Sequence, residues 1–369
     1  MKIIFGADLA PIPNLNEELF VKGDAKELFG EEALEIMKSA DRVVVNVECA
    51  LTHSENAVTK CGPNMKADPK CTNALVAAGV TDVVLANNHT FDYGIEGLRD
   101  TMAALDAAGI PYTGVGENDT DSRKIYYIDA EEGKRIAIVN VTEREYSYAL
   151  PDRIGCNPYD THLTMYDIRE AKKNADYVTV IYHGGKEHCQ YPSPRVRRMC
   201  HEMVYNGADV VLLQHTHCVG CYEQFEGAHI VYGQGNFHFA SIKKRYPIWF
   251  SGLMVEVDFK GEHPEIKFYP LGLKDKSIHL AKGDEAKEIM DGFYARSEDL
   301  KSDKWLEGWR DFCHNSPYNY DYIDFLKWMA NPDADTNPRC TEPFKHFIDT
   351  ETHLDVLWEL LKTFNHTNK

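Results

Sequence analysis

No run in this 369-residue chain approaches the ~18 consecutive apolar residues that a membrane-spanning helix needs, so a helical membrane protein is excluded. The N-terminus also lacks the charged, apolar and small-residue succession of a secretory signal. It runs straight into a strand-like segment, and a cytoplasmic protein is expected. Positive charge is short as well: 40 Lys and Arg face 58 Asp and Glu, for a formal net charge of −18. That balance excludes general nucleic-acid binding, which requires phosphate neutralisation. An anionic ligand must therefore be captured locally, by metal ions or a small basic patch. The ten cysteines form no regular framework, which fits reduced thiols. Cys218 and Cys221 make an isolated C-x-x-C with no second pair at zinc-site spacing, and chance explains it before redox or zinc chemistry does. No G-x-G-x-x-G follows a strand, which sets a Rossmann nucleotide enzyme aside.

What the chain does contain is a set of apolar runs that end abruptly in polar side chains. Ile3-Ile4-Phe5 leads to Asp8, and Val43-Val44-Val45 leads to Asn46 and Glu48. Residues 83–86 lead to Asn87, Asn88 and His89. Residues 177–182 lead to His183, and 210–213 to Gln214, His215 and His217. Strands that stop this way deliver side chains to their carboxyl ends, where open α/β sheets bind ligands. Two imidazoles at i and i+2 lie on one side of an extended segment, and His215-Thr216-His217 fits that spacing. Donors of mixed carboxylate, amide and imidazole type suit Mn²⁺, Fe or Zn²⁺ better than thiolate-loving metals. One or two divalent ions are expected, since a carboxylate can bridge a pair.

Through about residue 240 strand-like runs alternate with amphipathic helices. A helix over 96–108 ends at Gly109, and Ser193-Pro194 reads as an N-cap followed by Pro at the first helical position. This is βαβ punctuation, not a solenoid repeat. From Gly252 the pattern changes: 252–259 and 264–268 read as antiparallel strands around a turn at Gly261. Beyond about 275 comes a helical extension rich in aromatics, among them Trp305, Trp309, Trp328, Trp358, Tyr318, Tyr320 and Tyr322. These either pack the extension onto the core or form a carbohydrate or partner surface. Two units are expected: 1–275 and a helical extension, 276–369, packed on it.

Several motifs, in order and at the right spacing, resemble those of one family. Asn46-Val47-Glu48-Cys49-Ala50-Leu51-Thr52 is similar to N-L-E-G-P-L-T. Leu85 to Gly94 matches L-A-N-N-H-T-L-D-Y-G except at Phe91. Leu213-Gln214-His215-Thr216-His217 stands where G-H-H-P-H is usual, and Tyr232-Gly233-Gln234-Gly235-Asn236-Phe237 resembles Y-S-L-G-N-F. The family is the CapA-type poly-γ-glutamate capsule-biosynthesis family, within the calcineurin-like metallophosphoesterase superfamily. The resemblance covers about Lys2 to Phe239. It implies an α/β fold, a four-layer αββα sandwich with its metal site on strand-end loops.

By position, the resemblance implies Asp8, Glu48, Asn88, His183, His215 and His217 as metal ligands, with Glu48 bridging. His89 takes the place of a residue that stabilises charge or protonates the leaving group. Asp92 either orients His89 or caps the following helix. Lys186, Glu187 and Asn236 are expected against substrate. Lys186 suits anion capture because it lies in a Gly-Gly loop three residues after His183. Arg195 to Arg198 and Lys243 to Arg245 read either as capture patches or as solvated surface. Three departures stand out. Ala10 replaces a histidine that often follows the first Asp, leaving His53 or Gln214 as substitutes. Gln214 replaces a histidine, and Ala7 a glycine. The implied function is a metal-dependent hydrolase acting on a phosphoester or γ-glutamyl-type anionic substrate. The alternative is a non-catalytic accessory protein that binds polyglutamate or supports its synthesis.

Overall fold

Side chains alternate across each strand, and this period of two sorts the apolar residues into three buried layers. Ile3, Phe5, Val44, Val84 and Val255 of one sheet meet Ile136, Ile138, Ile181, Val210 and Leu212 of another. On the far face of the first sheet, Ile4, Val43, Val45 and Met254 pack on Phe20, Leu28, Phe29, Met37 and Leu75, which lie on short helices. On the far face of the second, Val139, Val178, Val180 and Leu213 pack on Ile168, Met199 and Met203 of the helices Thr161–Asn174 and Pro194–Tyr205. Each such aliphatic side chain stabilises the fold by roughly 1.5–3 kcal/mol when fully buried. The layers are helix, sheet, sheet, helix, as the family resemblance implies. This computed structural model describes residues 1–241, 246–317, 322 and 341–364. The patch Lys243 to Arg245 and the aromatics Tyr318, Tyr320 and Trp328 lie outside the described residues.

In the first sheet Lys2–Leu9 is central, parallel to Arg42–Val47 and Asn236–His238 and antiparallel to Ser251–Asp258. Asp82–Val84 and Tyr112–Thr113 extend it on the parallel side. The second sheet is built on three parallel strands, Arg135–Thr142, Tyr177–His183 and Val210–Gln214. Ala228–Val231 continues it beside Val210–Gln214. The expected helix forms as Gly94–Ala108 with Gly109 left-handed at φ 69°. Ser193 caps Pro194–Tyr205 by accepting from the Val196 amide.

Ser251–Asp258 and Glu265–Lys274 pair antiparallel, as their sequence pattern predicts. The expected 275/276 boundary, however, falls inside a hairpin. Ser277–Leu280 turns back through Asp275, at φ 54°, and adds an edge strand to the first sheet. The helices of the extension begin only at Gly283. They pack through Trp309, Cys313, Tyr322, Phe347, Val356, Leu357 and Leu360 around Cys189. Trp358 remains 68% exposed and takes no part in that packing. Among the described residues no helix is long and apolar enough to cross a membrane, and no disulfide joins the described cysteines.

Candidate metal centre

Parallel register carries the strand ends to one edge. Asp8 lies opposite both Asn46 and Asn236, and His183 lies opposite Gln214 and Thr142. Gly235 lets the chain enter its short strand: its φ is 70°, and a Cβ there would sit 2.6 Å from the Ser251 carbonyl oxygen. At the shared edge His183 Nε2 stands 3.0 Å from Asn88 Oδ1 and 3.1 Å from His215 Nδ1. The same nitrogen is 3.4 Å from Glu48 Oε1. His217 lies 3.9 Å from Glu48 Oε1 through Nε2 and 3.7 Å from Asp8 Oδ2 through Nδ1. Two donor groups thus share one acid: Glu48 with His183 and His215, and Glu48 with Asp8 and His217. Donor atoms at such separations suit bonds of ~2 Å to a common ion.

The residues fit a divalent cation. Both oxygens of Glu48 are buried with no hydrogen-bond partner among the described residues, an arrangement that is expensive unless a cation compensates it. Burial pushes the Glu48 carboxyl up to about 8. Burial, helped by the charge of Glu48, pushes Asp8 up to about 7. Burial also drives His183 and His215 down to about 4. Neutral imidazoles are the ligating form, and carboxylates starved of positive charge are what a metal ion relieves.

His215 and His217 are not on an extended segment. The strand ends at Gln214, and both histidines adopt left-handed backbone, φ 86° and 51°. Such conformations cost roughly 1–3 kcal/mol each and persist where the surroundings impose them. Here the His215 amide donates to Asp8 Oδ2 at 2.9 Å. A tight turn, not strand alternation, brings the two rings together.

The two donor sets are unequal. Glu48, Asn88, His183 and His215 surround one position, whereas Asp8, Glu48 and His217 face the other, where Ala10 supplies nothing. Neither suggested substitute fills the gap. His53 is exposed and stands 3.9 Å from Asp68. Gln214 donates its amide to the Gly6 carbonyl and to Gln234. Instead the Trp249 and Phe239 rings pack on His217, with centroids 4.4 and 5.0 Å away. Asn236, expected against substrate, has both ends of its amide engaged. Its nitrogen donates to the Trp249 carbonyl, and its oxygen faces His217 Nδ1 at 2.9 Å. That contact fixes the His217 ring and leaves Nε2 toward Glu48.

Beside the donors His89 Nδ1 meets Asp92 Oδ2 at 2.6 Å, and Lys60 Nζ holds the other Asp92 oxygen at 2.5 Å. Asp92 also accepts from the Met65 amide. It does not cap the helix, whose N-cap is Tyr93. His89 Nε2 has no hydrogen-bond partner among the described residues. A cavity of about 380 Å³ opens here, lined by Lys60, Asn88, His89, Lys186 and Glu187 among others.

Sequence reasoning missed Glu143, Glu145, Lys60 and His346. Glu143 and Glu145 follow the apolar strand Arg135–Thr142, so the strand-end signal that found the other donors was present there too. His215 Nε2 lies 3.5 Å from Glu143 Oε1 and 3.9 Å from Glu145 Oε2. A ring that ligates through Nδ1 keeps its proton on Nε2, and these carboxylates are placed to accept it. Glu145 also accepts from Asn88 Nδ2 at 3.0 Å, which turns Asn88 Oδ1 toward His183. Arg195, a capture candidate, is paired with Asp355 of the extension at 2.9 Å, so its charge is already engaged.

Residues 2–241 match the family described as Bacterial capsule synthesis protein PGA_cap. The chain is 32% identical over 212 residues to the capsule biosynthesis protein CapA of Bacillus anthracis, covering 55% of this chain and 51% of that protein. It is 29% identical over 207 residues to the PGA biosynthesis protein CapA of Bacillus subtilis (strain 168), covering 55% and 54%. It is also 26% identical over 219 residues to a probable polyglutamine synthesis accessory protein of Mycobacterium tuberculosis, covering 56% and 58%. The chain spans about half the length of the curated relatives it matches.

Proposed function

The chain belongs to the bacterial capsule synthesis protein family PGA_cap, and from that premise we propose that it is a metal-dependent hydrolase serving poly-γ-glutamate metabolism. Its substrate would be an anionic phosphoester or γ-glutamyl amide. One observation carries the reading: a buried carboxylate with no hydrogen-bond partner among the described residues, Glu48, is gathered with Asp8, Asn88, His183, His215 and His217, donor atoms spaced to share a cation. Bound divalent ions supply Lewis-acid polarisation of an anionic or carbonyl oxygen.

The chain's own residues supply the remainder. His89 is oriented through Nδ1 by Asp92 and presents Nε2 to the cavity, the geometry of a proton donor to a leaving oxygen or nitrogen. Lys60 holds one Asp92 oxygen at 2.5 Å and leaves the other to accept from His89. Lys186 and Glu187 stand on the cavity wall, where Lys186 can meet an anion. Phe239 and Trp249 also line the cavity and limit water beside His217.

A second reading, a non-catalytic accessory protein that grips polyglutamate, draws on the missing donor at Ala10 and on the accessory role named for the mycobacterial relative. Purified protein loaded with Mn²⁺, Fe²⁺ or Zn²⁺ and offered phosphoesters and γ-glutamyl peptides separates the two. Turnover that disappears in Glu48→Gln supports the hydrolase. Binding of the peptide without turnover under any of the three metals leaves the accessory role.

A further inference from the structure

A smaller cavity of about 160 Å³ lies beside the metal pocket. Glu145 and His346 line both cavities and so form the partition between them. The wall of the smaller one carries three cations, Arg144, Arg153 and Lys345, against two carboxylates, Glu145 and Asp349. Glu145 is engaged on the metal side: Oε2 accepts from Asn88, and Oε1 faces His346 Nδ1 at 3.6 Å. His346 in turn stacks on Tyr146, with ring centroids 5.8 Å apart. In a chain of net charge −18, a recess with this excess of cations is out of keeping with its surroundings.

Arg153 gives the recess direction. Its guanidinium lies over the Phe91 and Tyr148 rings, at 5.1 and 5.5 Å, and Nη2 donates to the Tyr148 carbonyl. Nε is buried with no hydrogen-bond partner among the described residues. A fork held by stacking and left with an unused donor is prepared for an oxygen anion. Arg144 lines the same recess, half exposed, with Asp160 no nearer than 3.7 Å. Lys345 and His346 come from the helix Thr341–Asp349, well beyond the family match at residues 2–241.

We propose that this recess is a second anion subsite, built jointly by the Arg144 loop, Arg153 and the C-terminal helix. It would hold a carboxylate or phosphate of a substrate whose reacting group lies at the metal centre. This rests on the hydrolase reading of that centre. It narrows the ligand to a chain bearing at least two anionic groups, and it makes the C-terminal extension part of substrate recognition.

Calorimetric titration of the metal-loaded full chain tests this. Tri-γ-glutamate and inorganic triphosphate are the two chain probes, and their relative affinities distinguish carboxylate from phosphate preference. Inorganic phosphate, too short to occupy both compartments, is the reference. In Arg144→Gln/Lys345→Gln the better chain probe should bind at least about tenfold more weakly, while phosphate changes by less than about twofold. Arg153→Lys, which keeps charge but loses the fork, should weaken the same probe. Thermal unfolding of each variant verifies the fold. Equal losses for chain and phosphate, no loss for the chain, or no chain binding by the wild type would each overturn the subsite. Chain binding with the expected variant pattern but no turnover would sink the hydrolase reading and leave the subsite standing.

Discussion

Glu48 belongs to both donor groups, so its charge should matter to a metal ion held by either. In Glu48→Gln, elemental analysis should find metal content reduced by more than half, and unchanged content would refute the sharing. The same acid governs the metal-free protein. Burial raises Glu48 from 4.5 to about 8 and Asp8 from 3.8 to about 7. Their stabilisation is complete below the unfolded values and is lost as pH rises through about 7 to 8. His183 and His215, lowered by burial from 6.5 to about 4, work in the other direction: their contribution is present above 6.5 and lost as pH falls toward 4. Of these four groups only the two carboxylates change charge between pH 6.5 and 8, so their contribution to the Tm of chelated protein should fall across that interval. Added Mn²⁺ should abolish the fall and release protons. A Tm that climbs with pH there would contradict the assignment. His89 calls for a different measurement. His89→Ala should lower turnover by about 10²–10⁴-fold with metal content intact, and metal loss would recast His89 as a ligand.

The elements meet where local signals meet. Pro194–Tyr205 holds the extension through Arg195, whose guanidinium lies 2.9 Å from Asp355 on the helix Glu351–Phe364. Ser193 donates to the same carboxylate. Asp355→Ala strands a largely buried guanidinium and should destabilise the docked helices by about 2–4 kcal/mol. Limited proteolysis should then cut the extension before the sandwich, and simultaneous loss of both would show that they unfold as one unit. The order of strands and helices was legible because strand alternation and strand-end polarity are local properties, whereas the sandwich followed only from the family resemblance. Asp8, Glu48, Asn88 and His183 could be read from them, and Glu143 and Glu145 carried the same mark. Other features depend on tertiary paths. The left-handed turn at His215 and His217 looks like strand continuation in sequence, and nothing near Asn236 reveals that its amide faces His217. Lys60, Lys345 and His346 reach the cavities from distant segments with no periodic signature. The hairpin at Asp275 was hidden by an edge strand of only four residues, Ser277–Leu280.

At the scale of the whole molecule, the proposed anionic substrate would approach a chain of net charge −18. The repelling charges are mostly at the surface and are screened by salt within ~8–10 Å. Lys186 is only 5% exposed on the cavity wall, so salt should weaken its attraction far less. For a short phosphomonoester that reaches only the metal pocket, kcat/KM should therefore rise between about 0.01 and 0.15 M ionic strength, opposite to a positively steered enzyme. Lys186→Met should raise KM about tenfold and move kcat by less than about threefold, because the lost interaction binds ground state and transition state alike. Its salt response should keep the wild-type slope, since the surface field is untouched. If kcat/KM instead falls with salt in both proteins, surface cations govern capture. If KM in Lys186→Met equals that of the wild type, capture belongs to the metal ions alone.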